Sequence, residues 1–491
     1  MIGSSTGKIE RILNFLFLLT IYFIPMETAM NLHIIGFLSA YKIPFILLCL
    51  LYIFYLFSDF KYNTLVAKEN FLNAFKKYRW AFISLFLYFT FDIISLLWTN
   101  DILFSLKKYI TILPMVILLF YANRYFYGAG IDEQKRHERL KILSAVFALM
   151  SLTISSITWI IYLIFGRTHY IMRMSLQLDY NQYILPVLLG YIAGIYVINY
   201  FKDDISKIIY FSTFSIITLP LLFTSGSRRT ILIYMPIYFI LSLFSFISSL
   251  KNKAKKSYLI SFILAVVLVL GFHYLIIQGY QIKSRNIYEE MKKAAEKSGI
   301  DIPSATHDNS KELIRDFRKE QDLDFISNTI ESGTAVGKRE MIYSVVIDEI
   351  KSYSIKEWLI GKGGSHQTDL FKTEKALERF KSMDKYSKEW NYSHPHSMIF
   401  VDLLNGGLIK LSLTISFILS IFYYTIKIAL RKNYKELILI LLFGGVHLSN
   451  QIIDSIYGIE QNRLTWIFFY IILGSIGLSD KRHLKYKSRS I

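Results

Sequence analysis

The chain has 491 residues, 53% of them hydrophobic and 16% aromatic, with 8 prolines, one cysteine and a formal net charge of +19. A water-soluble globular fold is excluded, because a protein of this length could not hide so many apolar runs of membrane-spanning length. One cysteine rules out an internal disulfide, so any segment outside the membrane is held by packing alone.

In chain order, hydropathy predicts about twelve spans. They are residues 12–28, 41–58, 80–98, 109–125, 140–165, 183–200, 208–224, 230–250, 258–277, 398–429, 437–457 and 464–478. Lys8 and Arg11 precede the first run, but no small-residue cleavage site follows it, so it reads as a retained span and not a signal peptide. The expected fold is therefore all-α: a polytopic membrane protein with one large, mostly helical periplasmic insertion between spans nine and ten. That divides the chain into a bundle of spans one to nine (1–277), an external cap (278–397), spans ten to twelve (398–479) and a basic cytoplasmic tail (480–491).

The charge follows the same division. The connections after even-numbered spans, 61–79, 124–141, 251–256 and 427–435, are basic short loops, as is the tail. The long polar segment before His394 is nearly balanced. Excess lysine and arginine on one side is the positive-inside pattern, which puts both termini in the cytoplasm and the insertion outside. The charge thus reports topology, and no nucleic-acid partner is expected.

Within the insertion, 286–298 and 311–329 read as charged, solvated helices. Residues 337–353 form an amphipathic helix through Met341, Val345, Ile347 and Ile350. The glycines at 361, 363 and 364 mark 358–364 as a loop, and 368–390 reads as a further polar helix. The insertion is too short and too polar to be a separate catalytic domain. Asn391-Tyr392-Ser393 matches a glycosylation sequon, a three-residue pattern too common to carry weight.

Few residues offer chemistry. Arg228 and Arg229 sit in the short turn Thr224-Ser225-Gly226-Ser227-Arg228-Arg229-Thr230 between two spans. Arginine so close to hydrocarbon either snorkels to headgroups or clamps an anion, since guanidinium grips phosphate oxygens in a fork. Arg339 starts the amphipathic helix and suits either an anion site or a solvated face. His394 and His396 flank Pro395 where the chain re-enters the membrane; each is either a general base or an interfacial histidine bonded to backbone. Two residues apart, with no carboxylate or cysteine cluster nearby, they do not make a metal site. Asp402 and Asp454 lie inside apolar runs, where an ionisable group has a function or a partner such as Arg463. His273 and His447 read as structural.

Taken in order, these elements resemble the bacterial O-antigen ligase and polysaccharide polymerase superfamily. The match runs from Ser227-Arg228 through Gly337-Lys338-Arg339-Glu340, Trp358-Leu359-Ile360-Gly361-Lys362-Gly363 and His396-Ser397-Met398-Ile399-Phe400 to Asn405-Gly406-Gly407-Leu408. It covers 224–413 in motif detail. Two positions depart from the pattern: Ser397 stands where the family has asparagine, and Lys338 where it has glycine.

The resemblance implies inverting, metal-independent glycosyl transfer at the outer face of the inner membrane, with no cofactor. The donor would be an undecaprenyl-diphosphate-linked glycan. His396 would take the proton of an acceptor sugar hydroxyl, while Arg228 and Arg339, with Arg229 and Arg173 as further cations, would bind the diphosphate. His394, Ser397 and Lys338 would support them. A ligase passes the glycan to lipid A–core, and a polymerase passes it to another lipid-linked repeat unit. A transporter or flippase of lipid-linked sugars is the alternative of another class, expected to show repeat symmetry and charged or broken helices near mid-membrane. A receptor or scaffold would leave the arginines and histidine unexplained.

Overall fold

In lipid every backbone polar group has to be satisfied internally, and for a single apolar segment only a helix does so. The computed structural model describes residues 2–30, 33–35, 38–58, 60–128, 131–165, 176, 180–198, 200–201, 204–224, 335–383, 394–430, 434–454 and 463–475. The regular structure among the described residues is helical apart from a small antiparallel ribbon, β1 (His33–Ile35) and β2 (Leu38–Ser39).

The membrane bundle comprises α1 (Ile2–Met30), α2 (Lys42–Ser58), α3 (Phe60–Ser95), α4 (Ile102–Ile110), α5 (Leu113–Tyr127), α6 (Glu133–Phe165), α7 (Tyr180–Ile198) and α8 (Asp204–Thr224). After the cap come α13 (Met398–Leu430), α14 (Tyr434–Asp454) and α15 (Arg463–Ser475); the cap itself holds α9 (Ala335–Lys351), α10 (Ile355–Ile360), α11 (His366–Asp369), a 3-10 turn (Leu370–Lys372) and α12 (Glu374–Met383). Each predicted span within the described residues falls on helix, although 109–125 straddles the turn between α4 and α5; those at 230–250 and 258–277 lie outside the described residues. Four helical segments, in α1, in α4 together with α5, in α6 and in α13, are long and apolar enough to cross a bilayer, or five if the bent pair of α2 and α3 is one broken span. Their outer faces expose large apolar side chains such as Phe54, Phe57, Phe86, Leu163 and Phe422. A surface of that kind belongs against lipid, and the bundle is membrane-embedded.

Residues 61–79 are not a short loop: they are helical, forming the first part of α3, which breaks at Tyr78 (φ −116°, ψ 27°), and 124–141 is likewise mostly helix, the end of α5 and the start of α6. The polar residues there interrupt hydropathy without interrupting helix propensity.

Contacts at the two ends show helices running up and down. At one end the Tyr78 and Tyr127 hydroxyls meet at 3.0 Å, and both reach the Leu473 carbonyl. His137 bonds Glu436 (2.8 Å) and Tyr200 (2.7 Å) at that same end. Arg124, Arg136, Arg139 and Lys141 lie over the rings of Tyr55, Tyr127, Tyr125 and Tyr200. At the other end Arg463 pairs with Glu27 at 2.9 Å and covers Tyr41.

Candidate functional site

The centre of the site is a lock between two glycine segments far apart in sequence. α10 starts with a capping box, Ser354 with Glu357, which fixes its first turn. It ends at Gly361 in a left-handed conformation (φ +64°). The next two amides donate to α13: Lys362 N to Leu404 O and Gly363 N to Asn405 O, both 3.0 Å. Those carbonyls lie just before a break in α13 at Gly407 (φ +61°, ψ −156°). The break is what lets α10 approach. A Cβ on Gly407 would sit 2.5 Å from Trp358 O, and one on Gly361 would sit 2.4 Å from Gly406 N.

Side chains extend the lock. The Asn405 amide donates to Gln367 Oε1 (2.8 Å) and its oxygen accepts from the Gln367 amide N–H (2.9 Å). Ser365 Oγ meets Thr99 Oγ1 at 3.2 Å and accepts from Asp101 N, tying the loop to the junction of α3 and α4. Residues 358–364 are therefore only partly a loop, since Trp358, Leu359 and Ile360 complete α10. Residues 368–390 were expected as one helix; through residue 383 they are the end of α11, the 3-10 turn and α12.

α9 is fastened to the same loop by charge. Glu349 Oε1 takes Lys362 Nζ at 2.6 Å and His366 Nε2 at 3.0 Å. The hydrogen bond from His366, aided by Lys362, holds the Glu349 carboxyl down to about 2. Lys362 also lies over the Tyr353 ring, and the Tyr353 hydroxyl donates to Leu404 O. Ile342, Val345, Val346, Ile350, Leu370 and Phe371 complete an apolar cluster with Leu404.

His394, Pro395, His396 and Ser397 form the entry to α13. The two imidazoles meet edge to face with centroids 4.0 Å apart. Pro395 and Ser397 are buried, and Ser397 O accepts the first amide bond of α13, from Val401 N. His396 has φ +53°, a conformation uncommon outside glycine and concentrated at functional positions. Phe400 stacks on Tyr343 of α9 at 5.0 Å. Contacts thus advance from Tyr343–Phe400 to Tyr353–Leu404, so the first turns of α9 point to the end where His396 lies. Arg339 occupies the position one turn before Tyr343.

Beneath the lock, α3 and α13 share buried charges. Lys410 Nζ meets Asp92 Oδ1 at 2.5 Å and covers the Tyr88 ring. The Tyr88 hydroxyl donates to Asp402 Oδ1 (2.8 Å), and Thr414 donates to Asp402 Oδ2 (2.6 Å). Asp402 is thus held by hydroxyls, while Arg463, the partner considered for it, pairs with Glu27. His447 bonds Thr465 (2.8 Å) within the core, as a structural histidine would.

Of the residues singled out from sequence, His394, His396 and Ser397 come together at one point. Lys338 and Arg339 lie in α9 by backbone; their side chains, and all of Arg173, Arg228, Arg229 and His273, lie outside the described residues, as does the Asp454 side chain. Glu349, His366, Gln367, Asp92 and Lys410 were not singled out. Asp92 and Lys410 carried a usable signal: each is an ionisable residue within a predicted span, the reason Asp402 was noticed. No protein-family model matches the chain, and no curated protein matches it.

Proposed function

We propose that the protein is a membrane glycosyltransferase that moves a glycan from a polyprenyl diphosphate to an acceptor hydroxyl. In this reading it has about twelve spans, and the end rich in arginine and lysine over tyrosine faces the cytoplasm. The cap and His396 then face outward, where lipid-linked glycans are assembled. His396 acts as the base, and Arg339 and Arg228 bind the diphosphate and its growing charge.

One observation carries the reading: the lock of Trp358–Gly363 on Asn405–Leu408 joins two motifs of the resemblance, and α9, bearing Arg339, packs toward the His396 end of the same assembly. Of the two acceptor types, the ligase form, with lipid A–core in lipopolysaccharide biosynthesis, is preferred over the polymerase of lipid-linked repeat units.

A second reading has a specific observation behind it. A transporter of lipid-linked sugars is expected to have a broken, charged helix within the membrane, and α13 is broken at Gly407 beside the buried Asp92–Lys410 pair. One experiment separates these. Purified protein in nanodiscs is given polyprenyl-diphosphate glycan, with and without lipid A–core, and products are analysed by mass spectrometry. A ligase makes product only with acceptor, and a polymerase makes a ladder from donor alone. A transporter leaves the donor intact, and movement of intact donor across liposomes then replaces the transferase reading.

A further inference from the structure

The break at Gly407 divides α13 into two parts with different surroundings. Before it, Phe400, Leu403 and Leu404 pack into the apolar cluster of the cap. After it, Leu408, Ile409, Ile415, Leu419, Phe422 and Ile426 are exposed. From Leu408 to Leu430 the helix rises about 34 Å, close to the roughly 30 Å hydrocarbon core. The continuous exposed apolar face of α13 thus begins at Gly407, with Ile399 a single exposed apolar side chain before it.

α10 lies at that level, since the backbone of Trp358 and Leu359 abuts Gly407. Although it belongs to the cap, it exposes three large apolar side chains beside the charged Lys356: Ile355 is 83% exposed, Leu359 46% and Trp358 37%. Ile355 and Leu359 are one turn apart and share a face. At the other side of the lock, where Ser365 bonds Thr99 and Asp101, Leu97 and Leu103 are also strongly exposed. These residues continue the lipid-facing surface of the spans around the base of the cap. A tryptophan beside aliphatic side chains at the edge of a span is the composition that anchors at the headgroup boundary.

We propose that α10 is an interfacial anchor: Ile355, Trp358 and Leu359 insert among the acyl chains of the outer leaflet and hold the cap against the membrane. The proposal needs the membrane embedding of the bundle but not the transferase reading, so it can fail or succeed separately.

The test uses full-length protein in nanodiscs with Cys49, the single cysteine, replaced by serine. Single cysteines at Ile355→Cys or Leu359→Cys, and at the cap surface as Lys372→Cys (75% exposed side chain), carry an environment-sensitive fluorophore. Quenching is compared for spin-labelled lipids with shallow labels and for aqueous iodide. Labels at 355 and 359 are expected to be quenched by lipid and to resist iodide by about threefold or more relative to 372. Iodide access at 355 and 359 equal to that at 372 would overturn the proposal, placing α10 in water. Protection from both quenchers would also overturn it, showing that protein covers the face. Both substituted side chains point outward, so folding does not depend on either, and two positions give independent readings.

Discussion

Lys410 and Asp92 meet at 2.5 Å across α13 and α3, and their side chains are 1% and 2% exposed. Removing one partner leaves the other charge buried, which costs about 3–5 kcal/mol, whereas replacing both removes the problem. Lys410→Met or Asp92→Asn alone is thus expected to lower the thermal unfolding midpoint of the detergent-solubilised protein clearly, and the double variant to recover much of the loss. Losses that simply add in the double variant would show that the pair is not coupled.

Gly361 and Gly407 make the close approach of α10 to α13. Both combine positive φ with ψ near 180°, a region essentially confined to glycine where a side chain costs about 1–3 kcal/mol, and its Cβ would also strike backbone of the opposite segment. Gly361→Ala and Gly407→Ala are expected to loosen the cap, seen as faster limited proteolysis within residues 355–372. Gly445→Ala in α14 is the control, because nothing lies within 4 Å of the added methyl. Equal protection of all three variants would remove the lock from the account.

How much of this was legible in the sequence depends on the length scale of the signal. Helices are local and were found wherever predicted spans are described, because each apolar run is its own evidence for a helix, although only four or five of them are long and apolar enough to cross a bilayer. Residues 61–79 were misread because charge interrupts hydropathy but not helical backbone. At the site, His396 stood out as an ionisable group at a membrane edge, and its neighbours within the same segment came with it. Glu349, His366 and Gln367 did not, since each acquires its role from a partner 13 to 38 residues away. The glycines said only "turn"; that Gly361 faces Gly406 is a fact of tertiary packing.

Glu349 makes the cap sensitive to acid. Its carboxyl is held at about 2, below its ordinary value of 4.5, by His366 and Lys362. A lowered folded value means the stabilisation is present above about 4.5 and is lost as pH falls toward about 2. Glu349→Gln should therefore weaken the cap near neutral pH, by about 1.5–3 kcal/mol for each charge-assisted bond lost, and should flatten the acid dependence. Hydrogen exchange of α9 and α11 between pH 6 and pH 3 checks this; an unchanged acid dependence in the variant would assign it elsewhere.

His396 is the sharpest test of the proposed chemistry. Its left-handed backbone directs the imidazole from the entry of α13, and His394 meets it edge to face at 4.0 Å. A positioned base contributes roughly 10²–10⁴ in rate, so His396→Ala should lower glycan transfer by that factor while the protein stays in the membrane. His394→Ala removes a neighbour and not the base, and should cost far less. Arg339→Ala should abolish transfer through loss of diphosphate binding, with donor affinity falling as well as rate. Steady-state transfer and donor binding by each purified variant distinguish these outcomes. Full transfer by both His396→Ala and Arg339→Ala would end the proposed mechanism, because no other arrangement in it supplies both the proton acceptor and the diphosphate contact at this end of α13.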